Sequence, residues 1–180
     1  MWRAPQGIHA FMRAYYHFKS ADWKGNQPFR LSAFTASELA KMPTYYIMER
    51  GKGMVETAAE QMPSAEEVAA RKWLPDKELS VYADDFARTG FQGGLQWYRG
   101  AVGRNADLEM FSGRTIDVPA CFISGKSDWG VYQSPGALEK METVACTQWR
   151  GTHLVDGAGH WVQQERPEEV GRLLMQFISA

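Results

Sequence analysis

Val118-Pro119-Ala120-Cys121-Phe122-Ile123 lies inside an apolar run from Ile116 to Ser124 that reads as a short strand buried on both faces. Pro119 has no N–H to give to a ladder, which places it near the strand start. Downstream, Ser134-Pro135 predicts a helix with Ser as N-cap and Pro in its first turn, burying Leu138 and Met141. His153-Leu154-Val155 reads as a second short strand. Pro167 then opens a terminal helix with Val170, Leu173, Leu174, Phe177 and Ile178 on one stripe. Strand–helix–strand–helix is a right-handed parallel unit of an α/β sheet. Two parallel strands are too few to be covered on both faces, so the sheet is expected to be incomplete.

Upstream the character changes, and residues to about 110 read as helices and turns. Ser64-Ala65-Glu66-Glu67 is a capping box opening a helix expected to reach Leu74. Pro75-Asp76 starts another, with Leu79, Tyr82, Ala83 and Phe86 on one face and Gly90 as its stop. After Gly93-Gly94 a short helix should carry Leu95-Gln96-Trp97-Tyr98-Arg99, while Arg50–Pro63, with Gly51 and Gly53, reads as a mobile loop. The chain thus divides into a helical region, 1–107, and a βαβα part, 108–180.

Composition narrows the function. The 180 residues carry 20 Lys and Arg against 21 Asp and Glu, a net charge of −1, without the basic excess of a nucleic-acid binder. A hydrophobic content of 44% supports a sizeable core, and 7 Trp, 7 Tyr and 9 Phe could also line an apolar pocket. Cys121 and Cys146 are too few for a disulfide framework and read as reduced, buried thiols. Met1-Trp2-Arg3-Ala4-Pro5 does not begin a signal peptide, and no run is long enough to span a membrane, so a cytoplasmic protein is expected. His9, His17, His153 and His160 lack metal-ligand spacing, and neither a metal nor a cofactor is expected.

Two loops follow the two strands: Gly125-Lys126-Ser127-Asp128-Trp129-Gly130 and Asp156-Gly157-Ala158-Gly159-His160-Trp161. Loops at the carboxyl ends of neighbouring parallel strands converge on one crevice, so Asp128 and His160 can meet across the sequence. An Asp that accepts from one imidazole N–H fixes the tautomer and leaves the other nitrogen free as a base. The alternative is that Asp128 caps a turn and His160 is an ordinary loop histidine.

Phe122-Ile123-Ser124-Gly125-Lys126-Ser127-Asp128 followed by Gly157-Ala158-Gly159-His160-Trp161 resembles the end of an α/β-hydrolase, and most closely the epoxide hydrolases. Leu95-Gln96-Trp97-Tyr98-Arg99 resembles the cap helix that carries one epoxide-polarising tyrosine of that family, and Tyr15-Tyr16-His17-Phe18 falls where the cap supplies the other. The resemblance implies a helical cap followed by the last two parallel strands and their helices, the C-terminal portion of the fold. It implies His160 as the general base, Asp128 as its orienting acid, and Tyr98 with Tyr16 (or its neighbour Tyr15) as donors to the epoxide oxygen. Trp97, Trp129, Trp161 and Tyr15 would line the substrate wall, although for the indoles plain core packing is the competing reading. The implied ligand is a small apolar epoxide.

The sequence also departs from that family. Its enzymes form an ester on an Asp at a sharp strand-to-helix elbow and use an upstream His-Gly loop as oxyanion hole. Gly125-Lys126-Ser127-Asp128-Trp129 ends in Trp where an elbow has a small residue, and Gly51-Lys52-Gly53 is too short for a phosphate loop. The expectation is therefore a His–Asp pair and two phenols without the nucleophile, inactive alone and needing a complementing N-terminal half. The alternatives are a haloalkane dehalogenase-like hydrolase, a non-catalytic remnant binding a partner or itself through a sheet edge, and a small complete α+β domain.

Overall fold

The structure is a computed structural model that describes residues 3–103 and 105–180. Met1 and Trp2, which the N-terminal reading used, lie outside the described residues. The helical region begins with α1 (Ile8–Lys19), followed by a single turn α2 (Ala36–Leu39) and then α3 (Met54–Ala59). Helices α4 (Ala65–Ala70), α5 (Asp76–Thr89) and α6 (Gln92–Gly103) complete it, with a 3-10 turn at Asn105–Phe111. The second part runs β1 (Ile116–Gly125), α7 (Ala137–Lys140), a π turn at Met141–Ala145, β2 (Cys146–Val155), α8 (Val162–Glu165) and α9 (Pro167–Ile178). β1 and β2 form a two-stranded parallel sheet whose register ends at Gly125 opposite Val155. Among the described residues no helix is long and apolar enough to cross a membrane.

Local signals place the helix ends. Ser64 accepts from the Glu67 N–H at 3.1 Å while the Glu67 carboxylate accepts from the Ser64 N–H at 2.8 Å, closing the capping box of α4. α5 stops at Gly90, whose φ of 70° is open to glycine without steric cost. Tertiary contacts move other boundaries. α4 ends at Ala70 rather than Leu74, because Arg71 turns inward to bond Asp22 at 2.8 Å and His17, and Leu74 drops into the core.

The stretch 50–63 is not a loop throughout. Its glycines precede α3, where Gly53 N–H donates to Glu56 and Val55, Thr57 and Ala58 are buried. Helix α6 starts at Gln92 and contains both Gly93 and Gly94. The predicted N-cap at Ser134 is displaced. Ala137 N–H donates to the Ser134 carbonyl, Gly136 turns left-handed at φ 76°, and α7 starts after it, leaving Leu138 and Met141 only half-buried. The second strand is longer than His153–Val155, and the first is not buried on both faces along its length: Ile116–Pro119 are exposed and only Ser124 and Gly125 are buried. Cys146 is buried, Cys121 half-buried, and both are free thiols.

Three apolar clusters form. The first joins Phe11, Met12, Ala14 and Tyr16 of α1 to Val55, Ala58, Leu74, Leu79 and Ala83, with Trp161 packed against it. The second joins Phe18 to Leu31, Met42, Tyr45 and Trp129. The third, under the sheet, joins Val155, Ala158 and Val162 to Val170 and Leu173 of α9. Two of the five residues of the predicted α9 stripe, Val170 and Leu173, are thus buried and Phe177 is half-buried, while Leu174 and Ile178 remain exposed.

Candidate active site

The carboxyl ends of β1 and β2 bring their loops together through main-chain bonds. Lys126 N–H donates to the Val155 carbonyl and Ser127 N–H to the Ala158 carbonyl, each at 2.9 Å. This approach requires glycine. A Cβ on Gly125 would sit 2.1 Å from the Gly159 carbonyl oxygen, and one on Gly159 would sit 2.7 Å from the main chain of α1's end. With both positions bare, His160 Nδ1 lies 3.1 Å from Asp128 Oδ2. The other oxygen of Asp128 accepts the Gly130 N–H at 2.9 Å, and Tyr46 Oη lies 3.4 Å from it. Burial pushes the Asp128 carboxyl up. The His160 hydrogen bond and charge, the Gly130 N–H and the Lys19 ammonium more than offset this and hold it below its ordinary range.

Each member of the pair is followed by an anchored tryptophan. Trp129 is 3% exposed, packed in the second cluster and edge-on to Phe29. It is therefore a core residue and not the crevice wall expected of it, because the 3-10 turn that Asp128 caps swings the indole inward. Trp161 stacks on Tyr16 with ring centroids 4.2 Å apart and donates its indole N–H to the Tyr16 carbonyl at 2.9 Å. The loop bearing His160 is fastened further by Glu165, a buried carboxylate that accepts from Ala21 N–H at 2.8 Å and from Gly159 and Trp161 N–H at 3.0 Å. His160 N–H itself donates to the Lys19 carbonyl at 3.0 Å.

The two adjacent tyrosines of α1 part company. Tyr16 lies in the first cluster between Trp161, Trp73 and Tyr82, and burial followed by Tyr82 and Tyr15 pushes its phenol up to about 12. Tyr15 packs against the edge of the same cluster, beside Phe11 and Trp161, and burial first and then Tyr98 push its phenol up to about 12. Of the two neighbours, Tyr15 rather than Tyr16 feels Tyr98. Tyr98 on α6 is 65% exposed and Trp97 beside it 79% exposed, so neither is packed into the pair's surroundings. Tyr46, raised above the usual phenol range by burial and then by Asp128, also feels Tyr15 and Tyr98.

Sequence reasoning missed Lys19, Tyr46 and Glu165. The first two carried a faint signal, a lysine closing an aromatic run and a Tyr-Tyr pair after Pro43. Glu165 carried none, because what it fastens its own loop to, the Ala21 N–H, lies 144 positions away.

A parallel strand pair delivering an acid and a histidine from successive carboxyl-end loops is the C-terminal portion of an α/β-hydrolase fold. Within that fold the chain is similar to epoxide hydrolases. It superposes on potato (Solanum tuberosum) epoxide hydrolase I with a TM-score of 0.67 and 28% identity, over 99% of this chain and 48% of that one. Epoxide hydrolase A from Mycobacterium thermoresistibile gives 0.67 and 31%, over 97% and 47%. In sequence, epoxide hydrolase B of Mycobacterium tuberculosis is 38% identical over 106 residues, 59% of this chain and 30% of that protein. No family model matches. The chain spans about half the length of these solved structures and under a third of that curated relative.

Proposed function

We propose that this chain supplies the water-activating half of a cytoplasmic epoxide hydrolase, with 1–107 as the cap over 108–180. His160 is the general base, Asp128 its orienting acid, and Tyr98 and Tyr15 the donors to the epoxide oxygen; Tyr16 serves to seat Trp161. A carboxylate outside this chain's pair attacks an epoxide carbon, the C–O bond breaks, and the oxygen takes a phenol proton. Water then attacks the ester carbonyl and gives its proton to His160 Nε2, and the vicinal diol leaves. The observation that carries this reading is the 3.1 Å contact between His160 Nδ1 and Asp128 Oδ2, which leaves Nε2 as the free nitrogen.

The test compares the 180 residues alone with the same residues joined to the nucleophile-bearing half of a matched relative, each assayed for diol from an aryl epoxide. The isolated chain should be inactive and the joined form active, with His160→Ala abolishing turnover and Tyr98→Phe reducing it about 10²-fold or more. Turnover by the isolated chain, or a joined form indifferent to His160→Ala, would overturn the reading. Conversion of a haloalkane but not an epoxide would move it to a dehalogenase.

A second reading is favoured by apolar side chains on β1, the π turn and α9: Val118, Val144, Met175 and Ile178 are all exposed. It makes the chain a non-catalytic module that binds a partner or a second copy there. Concentration-dependent size with no turnover in any form would support it.

A further inference from the structure

Lys19, the last residue of α1, is only 7% exposed, and no carboxylate among the described residues forms an ion pair with it. Its Nζ instead lies 5.3 Å from the centroid of Tyr15, 5.4 Å from Tyr46 and 5.6 Å from Tyr45 and from Trp161. Four ring faces can hold an ammonium in place without neutralising it. The same Nζ is 3.4 Å from Tyr15 Oη, and the residue's carbonyl accepts the His160 N–H at 3.0 Å. One residue is therefore tied to the phenol, to the base loop and, through space, to Asp128. A charge without an ion-pair partner is costly to bury.

We propose that Lys19 is a positioning residue for epoxide opening, whose ammonium donates to the Tyr15 hydroxyl oxygen and so directs the Tyr15 proton outward to the oxygen being released. The inference rests on the epoxide-hydrolase reading above. An ammonium has three protons to give and no lone pair, so in this contact Tyr15 can only accept. Its own O–H is then free for another acceptor. When the C–O bond breaks, that proton passes to the leaving oxygen, the O–H electron pair stays on the phenol, and the resulting phenolate faces the ammonium directly. Solvent later restores the proton. Burial makes Tyr15 a reluctant acid, and a cation behind its oxygen offsets that reluctance in a site of low dielectric.

The test needs no turnover. The 180-residue chain is labelled with ¹³Cζ-tyrosine, the Tyr15 resonance is assigned with Tyr15→Phe, and its shift is followed from pH 6 to 9.5. Lys19 is held down to about 8 by burial, partly countered by Asp128, so the Tyr15 resonance should step near that pH as the ammonium is lost. The groups facing Lys19 are Tyr15 from α1, Tyr45 and Tyr46 from the segment before α3, Asp128 after β1 and the His160–Trp161 loop after β2. His160→Gln removes the neighbouring imidazole and should leave the step.

Lys19→Met should abolish the step and fix the resonance at its alkaline position; Lys19→Arg, which keeps its charge, should fix it at its neutral position. A Tyr15 resonance without a step, or a step surviving in Lys19→Met, overturns the coupling, and the wild-type and Arg titrations decide this even if the Met variant does not fold. In the joined, active form, Lys19→Met should lower kcat about 10-fold or more at nearly unchanged KM, with recovery in Lys19→Arg. Unchanged kcat in Lys19→Met overturns the proposal. A joined form that opens no epoxide overturns the functional reading instead, and leaves the resonance step to decide the contact.

Discussion

The helical region and the sheet use their apolar residues in opposite ways. α1, α3 and α5 close around Phe11, Met12, Leu74 and Leu79, each 3% exposed or less. The sheet part has one such cluster, on the side where α9 packs, while Val118, Val144 and Ile178 in the same part are exposed. The two regions meet at the loops that carry Asp128 and His160, and there the sheet part depends on the helical one. Trp129 and Trp161 are contributed by the loops after β1 and β2, yet they pack against the clusters that α1 organises. The candidate site is therefore held by the helical region more firmly than by the strands from which its loops emerge.

This difference can be broken at its strongest point. Trp129→Ala removes a fully packed indole from the second cluster and should cost about 3–5 kcal/mol in urea unfolding, as large-to-small core changes do. A cost under about 1 kcal/mol would mean that the loop after β1 is not anchored in the helical region. Gly125→Ala sharpens the same comparison at the seam. Its Cβ would run into the Gly159 and Ala158 carbonyls, so a loss of about 1–3 kcal/mol is expected. The His160 imidazole resonances should shift in the same variant, because the two loops must separate to admit the methyl. The smallest effect belongs to the open face. Ile178→Ser, at 72% exposed, should change stability by no more than about 0.5 kcal/mol. A larger loss would show that something covers this face in solution.

What the sequence made legible follows the same division. The capping box at Ser64 and Glu67, the stop at Gly90 and the start of α9 at Pro167 are written in neighbouring residues, and the structure has each where local chemistry puts it. The 3.6-residue stripe of α9 told which residues are apolar but not how many are covered. Helix α3 was hidden because the glycines preceding it were read as part of it. The Asp128–His160 meeting was foreseeable because parallel strands bring successive loops to one edge, a rule of topology rather than of packing. How Tyr15 and Tyr16 are each packed depends on the rotation of α1 about its axis, and that is set by contacts with Trp73, Tyr82 and Trp161. Lys19 and Glu165 were illegible for a related reason: the rings around Lys19 come from three separate segments, and Glu165 joins its own loop to the distant main chain of Ala21.

The hydrogen bond from the His160 N–H to the Lys19 carbonyl has a kinetic side. The last carbonyls of an α-helix have no partner within the helix, and here the loop of the proposed base supplies one, so the loop acts as part of the C-terminal cap of α1. The base and the helix end must then let go together. Fraying of α1's final turn, ordinarily a fast and local event, becomes the slowest rhythm at which His160 can leave its place, and amide exchange at His160 would keep time with it.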